Sequence, residues 1–224
     1  SIGGGEGGNT GNGGDATVNI YGGNLTAASI GGGTGNVGGH GGAAIVEVTD
    51  GFIETGSIGG GKTNNPNGNL GYAKATISGG DISGQFLMAA GGTEPCSFTM
   101  TGGTLHGVDT ADNSKFNYAQ QNGAAVYMDD PNGVVSISGG TIKDCSAVNG
   151  GAIYMSDGTC TISGNAVIES CVASENGGAV YMDGATGEKL TIENCTFDGH
   201  DTLASTVKNA SVGGAVYMNA NEGI

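Results

Sequence analysis

In 224 residues the chain has six cationic side chains, all lysine, against 21 acidic ones, a formal charge of −15. That balance excludes nucleic acid and anionic membrane surfaces as partners, since both demand clustered cations, and the absence of a run of about 18 apolar residues excludes a helix that spans a bilayer. Glycine supplies 49 residues and proline 3, which fits either a flexible low-complexity chain or a fold of many tight corners; regular β-branched triplets decide for corners.

The first predicted element repeats. "SIGGG" stands at Ser1, Ser29 and Ser57, a spacing of 28 residues, and this period points to a solenoid. Behind each copy comes an alternating stretch, a glycine corner and a second short strand: "TVNIYGGNL" from Thr17, "IVEVTDGFI" from Ile45 and "KATISGGDI" from Lys74. The same pattern continues as "SFTMTGGTL" from Ser97, "VVSISGGTI" from Val134, "TCTISGNAVI" from Thr159 and "KLTIENCTF" from Lys189. Period-two alternation bounded by glycine is a strand signal with one face buried.

In the second half the first strand changes to Gly-Gly-Ala-Val-Tyr-Met at 177–182 and 213–218, with Ile for Val at 150–155 and Gly-Ala-Ala-Val-Tyr-Met at 123–128; its tyrosines Tyr127, Tyr154, Tyr181 and Tyr217 are spaced by 27, 27 and 36 residues. Alternation turns Val126, Ile153, Val180, Val216 and the following methionines inward and leaves the four tyrosines as an outward ladder. The remaining inward columns are Val18, Val46, Ala75, Phe98, Val135, Cys160, Leu190; Ile20, Val48, Ile77, Met100, Ile137, Ile162, Ile192; and Leu25, Ile53, Ile82, Leu105, Ile142, Ile168, Phe197.

Three short strands per repeat, wrapped around a stacked apolar interior, predict an all-β fold: a parallel β-helix, right-handed because parallel crossovers are. Repeats beginning near Ser1, Ser29, Ser57, Leu87, Gly123, Gly150, Gly177 and Gly213 give seven to eight coils of 27 to 28 residues and a body about 35 Å long. This is one domain over 1–224, with SIGGG-type coils in 1–92 and GGAVYM-type coils in 93–224. The chain opens on Ser inside a repeat and closes on another without an evident cap, so a segment of a longer protein is expected.

The Gly-Gly-Ala-Ile or Gly-Gly-Ala-Val quartets at Gly150–Ile153, Gly177–Val180 and Gly213–Val216 resemble the repeats of chlamydial polymorphic membrane protein passengers and related bacterial adhesins. Where those families carry Phe-x-x-Asn, this chain has "IKDC" (142–145) and "IESC" (168–171). The front half looks like the glycine-rich β-helix repeats of Gram-positive surface adhesins. Both resemblances imply a bacterial cell-surface or secreted location and a role in adhesion or in building a stalk.

Candidate sites follow from what departs from the repeat. Two coils carry insertions, His106–Asn122 and Asp198–Val212, at the corner entering the GGAVYM strand. Insertions in solenoids map to one face, often the binding face, so Phe116 and Tyr118 with the ladder Tyr127, Tyr154, Tyr181 and Tyr217 are the expected contact residues. Their partner would be a host or neighbour-cell protein or glycan, or the chain itself through its coil ends. Cys145 and Cys171 align one coil apart, where either a disulfide or the preferred ladder of unpaired thiols fits; Cys160 belongs to a core column.

Catalysis is not expected, because the six lysines are scattered among the coils and no acids converge in one column as polysaccharide-cleaving β-helices require. His40, His106 and His200 fall in predicted loops without a third ligand, so no metal centre and no cofactor are predicted. "GNGGD" ending at Asp15 is similar to calcium-binding nonapeptides, but Ala43 and Ala73 replace the Asp in the next coils. "MDDPNG" (128–133) and "MDGATGE" (182–188) could each hold at most a weak surface Ca²⁺. "GTGNVG" (33–38) lacks the following helix that a dinucleotide site needs.

The outward pairs Thr76/Ser78, Thr99/Thr101, Ser136/Ser138 and Thr161/Ser163 resemble the Thr-x-Thr faces of ice-binding solenoids, interrupted at both ends by Asn19 with Tyr21, Glu47 with Thr49, and Thr191 with Glu193. Hydroxyls bonding along their own ladder are the plainer reading. The expected function is therefore a non-enzymatic extracellular structural and adhesive module, a rigid stalk whose corner loops present a binding face. The alternatives are a self-assembling filament subunit, an ice-binding solenoid, or a fragment of a polysaccharide-degrading enzyme. Asn24, Asn194 and Asn209 open glycosylation sequons.

Overall fold

A computed structural model describes residues 1–62, 70–89, 94–108, 121–184, 189–198 and 214–220. These form seventeen strands and no α-helix. In chain order they are β1 (Ile2–Gly3), β2 (Ala16–Gly31), β3 (Ala44–Gly59), β4 (Ala73–Ile77), β5 (Asp81–Ala89), β6 (Ser97–Met100), β7 (Thr104–His106) and β8 (Val126–Asp129). There follow β9 (Val134–Ile137), β10 (Thr141–Asn149), β11 (Ile153–Met155), β12 (Thr159–Ile162), β13 (Val167–Asn176), β14 (Val180–Gly184), β15 (Lys189–Ile192), β16 (Thr196–Asp198) and β17 (Val216–Ala220).

Every pairing is parallel and joins a strand to its counterpart one coil away, so the architecture is a parallel β-helix with three faces. The first face stacks Ile2, Ile30, Ile58, Phe86, Val126, Ile153, Val180 and Val216. The second stacks Val18, Val46, Ala75, Phe98, Val135, Cys160 and Leu190. The third stacks Leu25, Ile53, Ile82, Leu105, Ile142, Ile168 and Phe197. The predicted columns are thus the observed ones.

Four details differ from expectation. Seven rungs on the second and third faces make six coil-to-coil steps, so the described body has about six turns rather than seven to eight. Strands β2 and β3 each run 16 residues through two corners, because the glycine corners bend the ladder with register shifts and do not end it. Coil four enters with Phe86 in the inward row and Gln85 opposite Ser57, leaving Leu87 outward. Ile192 and Met218, placed inward by alternation, are 42% and 44% exposed, since no described coil stacks beyond them.

The interior is filled in two ways. From coil four onward it is side chains: Phe86 and Phe98 meet edge to face at 5.0 Å, and Met100, Met128, Ile137, Met155 and Ile162 are buried. In the front coils Ile30, Val46, Val48, Ile53 and Ile58 are buried in the same core, and beside them glycine backbone packs directly on backbone. The segments 3–5, 31–33 and 59–61 interleave with 13–14, 41–42 and 71 through a relay of hydrogen bonds. Gly14 N–H donates to Gly5 O, Gly33 to Gly14, Gly42 to Gly33, Gly61 to Gly42 and Gly71 to Gly61, at 2.8–2.9 Å. A Cβ on Gly42 would stand 2.1 Å from the Gly14 carbonyl oxygen, and one on Gly33 would stand 2.0 Å from that of Gly5. Glycine here is a requirement of close approach.

Gly42→Ala should therefore cost about 3 kcal/mol, an overpacking penalty with backbone on both sides, and lower the thermal midpoint by roughly 6–12 °C. Gly8→Ala, where a Cβ meets nothing within 4 Å, is the control and should change the melting curve little. Equal midpoints for the two variants would contradict the interleaved interior.

Candidate functional site

The most ordered surface feature is the tyrosine ladder. Strands β8, β11, β14 and β17 hold it because Val and Met on either side of each Tyr are drawn inward, and Val126, Met128, Ile153, Met155, Val180 and Met182 are buried. The rings of Tyr127, Tyr154, Tyr181 and Tyr217 stack at centroid separations of 5.3, 5.1 and 5.2 Å, with interplanar angles of 4°, 4° and 20°. That spacing is the coil repeat itself, so one backbone register stacks all four phenols. Phe116 and Tyr118, the other expected contact residues, lie outside the described residues, as do His200 and most of both insertions.

Two residues beyond the tyrosines runs a polar row, Asp129, Ser156, Asp183 and Asn219. The Ser156 hydroxyl donates to Asp129 Oδ1 at 2.5 Å. Partial burial, with Asp129 nearby, pushes the Tyr127 phenol from its ordinary 10.0 to about 12. Burial first, then the charges of neighbouring tyrosines and carboxylates, raises Tyr154 and Tyr181 as well. A raised phenol pKa means that the folded chain holds its proton more tightly than the unfolded one. The resulting stabilisation is complete below pH 10 and is lost as pH rises from 10 through 12. Thermal midpoints should accordingly fall above pH 10, with a smaller fall in Tyr154→Phe; a midpoint that holds level to pH 12 would contradict the assignment.

An asparagine ladder stands beside the tyrosines and is absent from the sequence-based expectations. Asn149 donates through its backbone N–H (3.1 Å) and its Nδ2 (3.2 Å) to Asn122 Oδ1, and Asn176 Nδ2 donates to Asn149 Oδ1 at 2.9 Å. Each asparagine precedes a left-handed glycine, Gly123, Gly150 or Gly177, with φ of 59°, 59° and 61°. The signal was the Asn-Gly step at 122, 149 and 176, which reads as corner composition until coil stacking turns it into a ladder.

Cys145 and Cys171 are register partners, as expected, and both thiols are free. Cys145 Sγ donates to Lys143 O at 3.3 Å and Cys171 Sγ to Glu169 O at 3.1 Å, so the unpaired ladder is the arrangement seen and the disulfide is not. Burial pushes Cys96 to about 11 and Cys160 to about 12, and burial together with the neighbouring Cys171 raises Cys145. A thiol-reactive disulfide reagent at pH 8 should therefore reach these three only after denaturation, when all five cysteines react. A count of three in the denatured chain would mean that a pair had oxidised.

His106, expected in a loop, ends strand β7. Its Nε2 lies 3.2 Å from Asp81 Oδ1 and its Nδ1 3.2 Å from Asp144 Oδ2, joining three successive coils. In the first acidic stretch one carboxylate is taken up by the backbone: buried Asp130 accepts from Cys96 N–H at 2.7 Å and from Asn132 N–H at 2.9 Å. Asp15 likewise accepts from Ala43 N–H of the next coil at 2.7 Å. Among the described residues no three His, Cys, Asp or Glu side chains converge as a metal site; residues 185–188 of the second acidic stretch lie outside them.

The hydroxyl pairs form true rows. Thr76, Thr99, Ser136, Thr161 and Thr191 are consecutive register partners on the second face. Thr101 Oγ1 donates back to Ile77 O at 3.5 Å, whereas Thr76, Thr99, Ser136 and Thr161 make no side-chain hydrogen bond to another described residue. Comparison with family models, with characterised proteins and with solved structures yields no significant match.

Proposed function

We propose that this chain is a non-enzymatic structural and adhesive module of a bacterial surface or secreted protein, a stiff stalk whose corner insertions meet the partner. One observation carries the reading: parallel ladders run from coil to coil through all three faces, so the recurring element of each repeat goes into stacking, while departures from the repeat are concentrated in the insertions 106–122 and 198–212. The resemblance of the Gly-Gly-Ala-Val quartets to bacterial adhesin repeats supports it. A partner would be a protein or glycan of a host or neighbouring cell.

The test is retention of chain-coated beads on cell layers under flow, with the chain and with a variant lacking 109–120. The intact chain should hold the beads and the shortened one should release them, both giving the same β-sheet circular dichroism. Retention no better than that of uncoated beads would sink the adhesive reading.

A second reading, ice binding, is favoured by the hydroxyl rows. Hydroxyls that bond one another need no ligand, but Thr76, Thr99, Ser136 and Thr161 leave their bonding capacity to solvent, on four neighbouring strands of constant spacing. Slowed ice recrystallisation that is lost in Thr99→Lys/Thr161→Lys would support it; ice growth unaltered by the intact chain would dismiss it.

A further inference from the structure

The outward row of the first face changes character at its midpoint. Along one continuous ladder it reads Gly3, Gly31, Gly59, Leu87, Tyr127, Tyr154, Tyr181, Tyr217. The tyrosine half is a ridge of stacked rings. The glycine half has no side chains, and over it lies a trough of about 370 Å³, floored by glycine backbone and closed at one end by Leu87. Ser1, Ser29 and Ser57 form one wall; Glu6, Thr34 and Lys62 form the other.

We propose that this face is a self-complementary docking surface for a second copy of the chain. Two copies facing each other about a two-fold axis parallel to the strands, between the rungs of Leu87 and Tyr127, would each lay their ridge in the other's trough. The operation reverses the order of coils and preserves strand direction. Tyr154 then falls opposite Gly59, Tyr181 opposite Gly31, Tyr217 opposite Gly3, and Leu87 opposite Tyr127. Because ridge and trough are built on the same coil repeat, matching one rung matches them all. The contact is isologous, so it closes at a dimer and does not propagate as a filament. It is a side-by-side contact, distinct from stacking through the coil ends.

Two further observations favour a second copy over another occupant. Bare glycine lets aromatic ring edges approach backbone closely, and the ridge offers four rungs of ring surface whose burial is favourable. Charge is complementary as well. Since strand direction is kept, the wall bearing Lys62 meets the flank two residues beyond the tyrosines, where Asp129, Ser156 and Asp183 lie. Lys62, on the third rung, comes to face the sixth rung at Ser156, between the two carboxylates.

Sedimentation equilibrium of the full 224-residue chain up to about 1 mM tests this. The expected result is a concentration-dependent monomer–dimer equilibrium. Lys62→Glu and Asp183→Lys should each weaken it about tenfold, and the double charge swap should restore it. Tyr181→Ser should abolish the dimer with the circular dichroism unchanged. A chain that stays monomeric throughout overturns the proposal, and so does a dimer indifferent to both Lys62→Glu and Tyr181→Ser, which would place the contact elsewhere.

Discussion

The axial hydrogen bond from each coil to the next is the constraint on which the rest of this molecule hangs. Strands that pair in parallel register at a spacing of about 4.8 Å put each residue directly over its counterpart, so any choice made in one repeat is multiplied along the axis. Valine above valine gives a core; tyrosine above tyrosine gives stacked rings; asparagine above asparagine gives an amide ladder whose donors and acceptors match at every step. The penalty for a poor choice is multiplied in the same way, which explains why the repeats are so uniform inward and so free at the corners.

The same register accommodates two different interiors in one continuous sheet. Where the first strand reads Ser-Ile-Gly-Gly-Gly, the two sides of the coil approach until their backbones hydrogen-bond, and a Cβ would collide with a carbonyl. Where it reads Gly-Gly-Ala-Val-Tyr-Met, the coil holds an aliphatic and methionine core. Phe86 and Phe98 sit at the boundary, filling coil four just above the last described glycine layer. Because glycine also strips the outer surface, the change of interior produces a change of relief outside, from trough to ridge, along one row.

Most of the architecture was legible in the residues. Ile77, Ile137 and Ile162 had only to alternate with polar neighbours and recur at a fixed period to be placed on a shared axis, and all three are buried there. The tyrosines were legible for the same reason. His106 was not: its two carboxylate neighbours lie 25 and 38 positions away and meet it only because coils three, four and five are stacked. The role of Asp130 was hidden for a related reason. An acid in a Pro-Asn-Gly turn suggests a surface ion, but the neighbouring coil presents a backbone N–H that its carboxylate satisfies.

By itself the sequence determined the class of fold, the identity of the inward columns and the outward path of the tyrosines, because period and alternation are local properties that survive any detail of packing. Only the tertiary structure decided how the two glycine segments of each front coil interleave, which hydroxyls stay unbonded, and that the glycine and tyrosine columns are one row. Those depend on which residue lies one coil above which, and unequal loop lengths between repeats conceal that correspondence until backbone hydrogen bonds fix the register.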